Sequence, residues 1–175
     1  MNKVLIIGCG HMGSALLESW QKLRLYKFTV VDPFNYQLIK KTFKSKKIEI
    51  NKSVNDIKNI SDYDLIIFAI KPQVSKFVLK EKKLLKFKKT SVIISIIAGK
   101  KISFFKKNLI HAYQIIRVMP NMPALIAKGM TCLVENEFVN NTNKIKTNYL
   151  FSKVGKTMWM ANEKQIDMAT AVSGS

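Results

Sequence analysis

Apolar residues fall in short blocks along this chain, and the blocks alternate between two periods. Val4-Leu5-Ile6-Ile7 after Lys3 is a continuous apolar run stopped by a glycine, which predicts a buried strand. Met12 to Leu25 instead places apolar groups at Met12, Ala15, Leu16, Ser19/Trp20 and Leu23, a helical period. Phe28 to Val31 predicts a second strand, closed by Asp32-Pro33. A helix over Tyr36 to Phe43 and a short strand over Ile48 to Ile50 follow. Asp64 to Ile70 is apolar at successive positions, which suits a central strand covered on both faces. A helix with Val74, Phe77, Val78 and Leu84/Leu85 inward comes next. Then come a strand over Ser91 to Ile97 and a helix over Ile102 to Leu109. Strands over Tyr113 to Met119 and Met130 to Val134, a polar-faced helix over Phe138 to Phe151, a strand over Lys156 to Met160 and a helix over Glu163 to Ala171 complete the chain. Strands alternating with helices require crossover connections. The expected class is α/β: a doubly wound, mostly parallel sheet with helices on both faces.

Composition narrows the possibilities. The 175 residues are 47% hydrophobic and 23% charged, too apolar for a disordered polycation. No apolar stretch reaches about 18 residues, so no membrane span is expected. The apolar start, Val4 to Ile7, is too short for a signal-peptide core. Cys9 and Cys132 form neither a disulfide framework nor a metal-ligand spacing, and read as reduced thiols in a cytoplasmic protein. The net charge of +19 raises the question of a nucleic-acid partner. Yet it comes from 28 Lys and only two Arg, Arg24 and Arg117, scattered along the chain. Specific readers lean on the bidentate fork of Arg. With 21 Ile and 13 Asn, the excess fits a lysine-rich solvated surface, with weak nonspecific polyanion binding as the alternative. No specific nucleic-acid partner is expected.

Gly8-Cys9-Gly10-His11-Met12-Gly13 fits G-x-G-x-x-G directly between a strand and a helix. Gly8 permits a tight turn, Gly10 leaves the backbone open to a pyrophosphate, and Gly13 allows close helix–strand packing. The helix start offers free N–H groups and a partial positive charge. Asp32 ends the second strand, 19 residues after Gly13. A carboxylate there typically accepts from the ribose 2′-OH and repels a 2′-phosphate, favouring NADH over NADPH. Its other reading is a simple Asp-Pro turn starter. Lys27 and Lys40 are placed to soften the discrimination. These features define a Rossmann-type dinucleotide-binding fold.

Four further segments, with the opening IIGCGHMGSAL, carry a resemblance. They are Phe68-Ala69-Ile70-Lys71-Pro72-Gln73, Ser95-Ile96-Ile97-Ala98-Gly99, Arg117-Val118-Met119-Pro120-Asn121-Met122-Pro123-Ala124 continuing to Lys128-Gly129-Met130-Thr131, and Asp167 to Ser175. In this order and spacing the chain resembles the pyrroline-5-carboxylate reductase family over nearly its whole length. The resemblance implies NAD(P)H-dependent reduction of the C=N bond of 1-pyrroline-5-carboxylate to L-proline, in proline biosynthesis. It also implies that Ile7, Gly8, Cys9, Gly10, His11, Met12 and Asp32 surround the adenosine and pyrophosphate, with Gly13 closing the loop. Asn55 matches an asparagine at the adenosine. Ala69, Ile70, Lys71, Pro72, Ile96, Ile97 and Ala98 would line the nicotinamide half. Lys71 is otherwise a solvated loop lysine, and Met119 to Pro123 otherwise a rigid corner. Met12 is otherwise a core residue. Neither His11 nor His111 carries a signature of a catalytic base.

The family continues past SGS into a helical segment that builds the dimer and much of the substrate pocket, including the proton-donating hydroxyl. The resemblance thus implies an NAD(P)-binding domain over residues 1–161. Residues 162–175 would begin the connection to a C-terminal dimerisation domain absent from this chain. No catalytic residue is expected here, since the family's proton donor lies beyond Ser175. A fragment inactive alone is expected, with homo-oligomerisation through the missing part. Met158, Trp159, Met160 and Met168 are expected to be exposed without it. Other readings are a different NAD(P)-dependent oxidoreductase, such as a hydroxyacid dehydrogenase or a deazaflavin-dependent NADP reductase, a nucleotide-sensing module and a basic polyanion-binding domain.

Overall fold

The structure, a computed structural model, describes residues 1–109, 111–121, 123–124 and 128–173. Among these, eight strands form one sheet: β1 (Asn2–Ile7), β2 (Tyr26–Val31), β3 (Ile48–Asn51), β4 (Leu65–Phe68), β5 (Val92–Ser95), β6 (Gln114–Pro120), β7 (Gly129–Glu135) and β8 (Gly155–Trp159). The helices are α1 (His11–Trp20), α2 (Tyr36–Thr42), α3 (Pro72–Val78), α4 (Ile102–Asn108), α5 (Asn141–Ser152) and α6 (Glu163–Ser173). The strand order is β3-β2-β1-β4-β5-β6-β7-β8. Every neighbouring pair is parallel except β6 and β7, so β7 and β8 run against the other six. The chain winds outward from β1 in one direction and from β4 in the other. The α/β, doubly wound, mostly parallel class expected from the alternating blocks is the observed one.

The strict two-residue period of the central strands divides the core. Val4, Ile6, Leu65, Ile67, Val92 and Ile94 pack with Leu16, Leu17 and Trp20 of α1, Ile39 of α2, and Leu150 and Phe151 of α5. Their alternates Leu5, Ile7, Ile66, Phe68 and Ile93 pack with Phe105 of α4 and Ile166 of α6. A one-residue slip in any central strand would exchange these two sets. Trp20 centres the first layer. It is fully buried, stacks on Phe28, meets Phe151 edge-on, and donates its indole N–H to the Leu150 carbonyl at 2.7 Å.

Several expected elements are shorter or rotated. Helix α1 stops at Trp20 rather than Leu25, because the chain must reverse to begin β2 at Tyr26; Leu25 is left exposed. Helix α5 begins at Asn141, where the Asn140 side chain accepts the Asn143 N–H, rather than at Phe138. The single helix expected to turn Val74, Phe77 and Leu85 inward is α3 followed by a separate 3-10 turn over Lys82–Lys86. Pro72 fixes the start of α3, and the Ser75 hydroxyl donates to the Pro72 carbonyl at 2.6 Å. Ser75, Leu79 and Leu84 take the buried positions, while Val74, Phe77 and Leu85 face outward. Met158 and Met168 are exposed as expected, whereas Trp159 and Met160 are half-buried against the fold. Among the described residues no helix is long and apolar enough to cross a membrane.

Asp64, just before β4, ties the opposite edge of the sheet together. Its carboxylate accepts from the Lys3 N–H at 2.9 Å and pairs with the Lys88 ammonium at 2.7 Å. Partial burial pushes its pKa up, but the Lys88 and Lys3 hydrogen bonds outweigh that and hold it below the usual value. A depressed carboxyl pKa stabilises the fold above the unfolded value, about 3.9, and that contribution fades as pH falls through the lower folded value. Asp64→Asn should therefore lower stability at neutral pH and flatten the acid limb of a denaturation series. Trp20→Ala should cost about 3–5 kcal/mol in urea unfolding, as an emptied aromatic site.

Candidate functional site

One rung of the sheet runs through Asn51, Val31, Ile7, Phe68, Ser95 and Arg117. Just beyond it, β1, β2, β4 and β5 release their loops. Strands β1 and β4 are neighbours whose connections depart in opposite directions, so a crevice opens between them. Ile7 to Gly13, Asp32, Ala69 to Pro72 and Ile96 to Ala98 all gather at this edge.

The three glycines of the loop do three different things. Gly8 has φ +89, a left-handed conformation, and a Cβ there would meet the Ala69 carbonyl oxygen and Ile70 Cγ2, both at 2.6 Å. The β1 and β4 loops thus touch at Gly8. A Cβ on Gly13 would lie 2.9 Å from the Gly8 carbonyl oxygen, so α1 is seated tightly on the loop. Gly10 differs: its φ is −72, and nothing lies within 4 Å of where a Cβ would project. It caps α1 without any side-chain hydrogen bond, leaving first-turn N–H groups facing open space. Free N–H groups at a helix start favour an anion.

Asp32 holds this loop in place. Its Oδ2 accepts the Cys9 N–H at 2.7 Å and the Asn35 Nδ2 at 3.1 Å. Its Oδ1 accepts the Phe34 and Asn35 N–H groups at 2.9 and 2.8 Å. The residue is 5% exposed. The carboxylate thus bridges the glycine loop and the β2–α2 turn, which is the turn-forming reading of Asp32 and more. Ser14 supports the same loop by donating to the Cys9 carbonyl at 3.1 Å. The Cys9 thiol is buried, and burial raises its pKa.

The remaining candidates are placed as follows. Lys71 is exposed at the start of α3, with no carboxylate within 4 Å among the described residues, and Pro72 is the first residue of that helix. Ser95 accepts the Ile97 N–H, and Ile96 continues the β4 ladder through the Phe68 carbonyl. Asn55 sits in a short turn after β3; its carbonyl accepts from Lys83 and its amide leans toward Glu81. His11 and His111 are exposed. Met12 is half-buried and packs on the core. Asn121 accepts the Met130 N–H through its side chain, so it braces the β6–β7 connection. Met122 and the last two residues of the SGS motif lie outside the described residues. Lys27 is at the start of β2 in register with Lys3, on the sheet edge opposite the glycine loop, and so is remote from Asp32. No sequence motif marks Phe34, 90% exposed on the turn that Asp32 holds, or Lys52, just past β3, which the β2–β3 register brings to this edge.

Arg117 joins the far side of the site to the last helix. It is 2% exposed, pairs with Glu163 at 3.2 Å and with Asp167 at 2.6 Å, and Glu163 also accepts the Ile102 N–H. Its buried Nε has no partner among the described residues.

Comparison with known proteins agrees with this geometry. Residues 3–99, from β1 to the end of the β5 loop, match the family described as NADP oxidoreductase, coenzyme F420-dependent. The chain belongs to that family. Among individual proteins it is similar to the pyrroline-5-carboxylate reductases of Pasteurella multocida (31% identical over 98% of this chain) and Pseudomonas aeruginosa (29% over 99%). It spans about 63% of the length of each of these curated relatives. Among solved structures it resembles pyrroline-5-carboxylate reductase from Coxiella burnetii, with TM-score 0.85 and 26% identity over 97% of this chain and 63% of that one. It also resembles Plasmodium falciparum pyrroline carboxylate reductase with NADP bound, with TM-score 0.77 and 27% identity over 99% and 62%. Aquifex aeolicus prephenate dehydrogenase, at 17% identity and TM-score 0.75, shares the fold.

The glycine geometry makes a contrasting prediction. Gly8→Ala should destabilise the fold by about 1–3 kcal/mol, from the positive φ and the Ala69 clash. Gly10→Ser should change stability by less than about 0.5 kcal/mol, since serine is an accepted cap and the space is open. Paired denaturant melts distinguish the two.

Proposed function

We propose that this chain binds NAD(P)H along the carboxyl edge of its sheet and forms the dinucleotide-binding part of a pyrroline-5-carboxylate reductase. The observation that carries the reading is the open cradle at Gly10, held by a loop that Asp32 braces from below. The family match and the similarity to relatives of that name support it. Ile7 to Gly13 would hold the pyrophosphate, with the turn at Asp32 and Asn55 at the adenosine. Ala69 to Pro72 and Ile96 to Ala98 would flank the nicotinamide.

The chemistry follows from the parts. When bound, the reduced dinucleotide supplies the hydride that adds to the C=N carbon of 1-pyrroline-5-carboxylate. The nitrogen takes a proton, and the product is L-proline. The chain's own residues would position the bound dinucleotide, with the partly buried side chains of Ile70 and Ile96 on its nicotinamide side. We assign no proton donor among these residues. The greater length of the relatives supports placing the proton donor, the rest of the substrate pocket and a homo-oligomer contact in further chain. In this reading residues 1–161 are the dinucleotide domain and 162–175 lead onward, with Glu163 and Asp167 paired to Arg117 of the sheet. The reaction is cytoplasmic, with no specific nucleic-acid partner. A different oxidoreductase with the same first domain is the second reading, favoured by the shared fold of prephenate dehydrogenase.

Fluorescence titration with NADPH and NADH tests the binding half. The chain should bind dinucleotide, and Gly10→Asp should weaken it at least about tenfold while leaving the fold intact, since aspartate caps helices well but repels phosphate. No binding by the parent chain, or unchanged affinity in Gly10→Asp, overturns the reading. Proline formation at normal rates by these 175 residues alone would contradict the assignment of the proton donor to further chain.

A further inference from the structure

A second concavity lies at the end of the sheet opposite the glycine loop. It is a cleft of about 450 Å³ between the starts of β1, β2 and β3 and the segment over residues 58–63. Five lysines line it: Lys3, Lys27, Lys46, Lys47 and Lys58. Lys3 and Lys27 are register partners on adjacent parallel strands, so their side chains leave the same face of the sheet. The Phe28 N–H donates to the Lys47 carbonyl at 3.0 Å, which brings Lys47 to the same end of the β3 side. Like charges side by side on a sheet are destabilising. Of the five lysines, only Lys3 has a carboxylate within 4 Å among the described residues, Asp62 at 2.7 Å. The other acid in the lining, Glu49, accepts from the Asn51 side chain. Four ammonium groups thus share one concave space without a protein counter-charge.

The floor of the cleft carries an independent signal. Thr29 of β2 and Tyr63 both line it, at 6% and 7% exposure. The Tyr63 hydroxyl donates to Thr29 Oγ1 at 2.9 Å. Two hydroxyls carry two protons, and this bond uses one of them. The other has no acceptor among the described residues. A nearly buried hydroxyl with an unused donor is completed by a ligand oxygen.

The lining also narrows the ligand. Lysine is a compact point charge that binds phosphate without demanding a planar partner. The cleft holds no arginine, and its two aromatic residues, Phe28 and Tyr63, are buried, so no ring is offered for a nucleobase to stack on. We propose that this cleft is an anion site for a small molecule carrying two or more linked phosphate groups, with Lys27, Lys47 and Lys58 binding the phosphates and the Thr29–Tyr63 pair donating from the floor. The space is within the range of small-molecule sites. The site lies at the other end of the strands from the glycine loop, and it does not depend on the dinucleotide reading.

Calorimetric titration with inorganic tripolyphosphate, beside orthophosphate, tests this. The Gly10→Asp background keeps the glycine loop from competing for the anion. There tripolyphosphate should bind one to one, at least about tenfold more tightly than orthophosphate. Lys27→Ala with Lys58→Ala should weaken it at least about fivefold, whereas Lys107→Ala with Lys164→Ala, outside the cleft, should change it less than about twofold. Thr29→Val with Tyr63→Phe should weaken it about threefold while circular dichroism shows the fold retained. No binding, unchanged affinity in either cleft variant, or equal loss in the two lysine pairs overturns the proposal. A single-stranded oligonucleotide that binds more tightly than tripolyphosphate, and loses affinity when Lys27 and Lys58 are removed, overturns it in favour of a nucleic-acid track.

Discussion

Cys9 and Asp32 lie just past the ends of the adjacent parallel strands β1 and β2, and the hydrogen bond between them fixes how the two leading loops of the sheet meet. The Gly8 N–H continues the β1–β2 ladder to the Val31 carbonyl, and the left-handed turn at Gly8 then aims the Cys9 N–H at the carboxylate. The same carboxylate gathers two backbone N–H groups of the following turn. One buried anion therefore sets the height of the glycine loop and the path into α2. Its burial is tolerable only because every oxygen is satisfied. The geometry at Gly10, open to solvent yet rigid, depends on that bracing.

The rest of the molecule holds this edge still. Two apolar layers clamp the central strands, so their ends cannot slide in register. Beyond β5 the sheet continues through β6 and then reverses. The reversal is braced by Asn121, and α6 is fastened across it by the Arg117 pairs with Glu163 and Asp167. A buried Arg with one nitrogen unmatched is a poor source of net stability and a good source of register. It fixes how α6 lies across the sheet.

The alternation of blocks made the fold class legible, because a buried parallel strand must be apolar at consecutive positions. The glycine loop was legible for a similar reason: steric demands at Gly8 and Gly13 leave no other residue type. Errors arose where one pattern serves two geometries. Val74 and Phe77 share a helical period, but a seven-residue helix started by Pro72 and turned by Ser75 presents them outward. The bracing bonds of Asp32 were not legible either, because one of their donors, the Cys9 N–H, comes from the loop after β1. The approach of Lys52 to the Tyr36 ring depends on the β2–β3 register, which no local pattern encodes.

The central claim is that the Asp32 carboxylate holds the glycine loop in the form that leaves Gly10 open. A crystal structure of the chain soaked with NADPH measures this directly. The account predicts the pyrophosphate against the loop at Gly10, with Asp32 still bonded to the Cys9 and Asn35 N–H groups. A dinucleotide bound away from the glycine loop, or an Asp32 carboxylate turned away from Cys9, would contradict it.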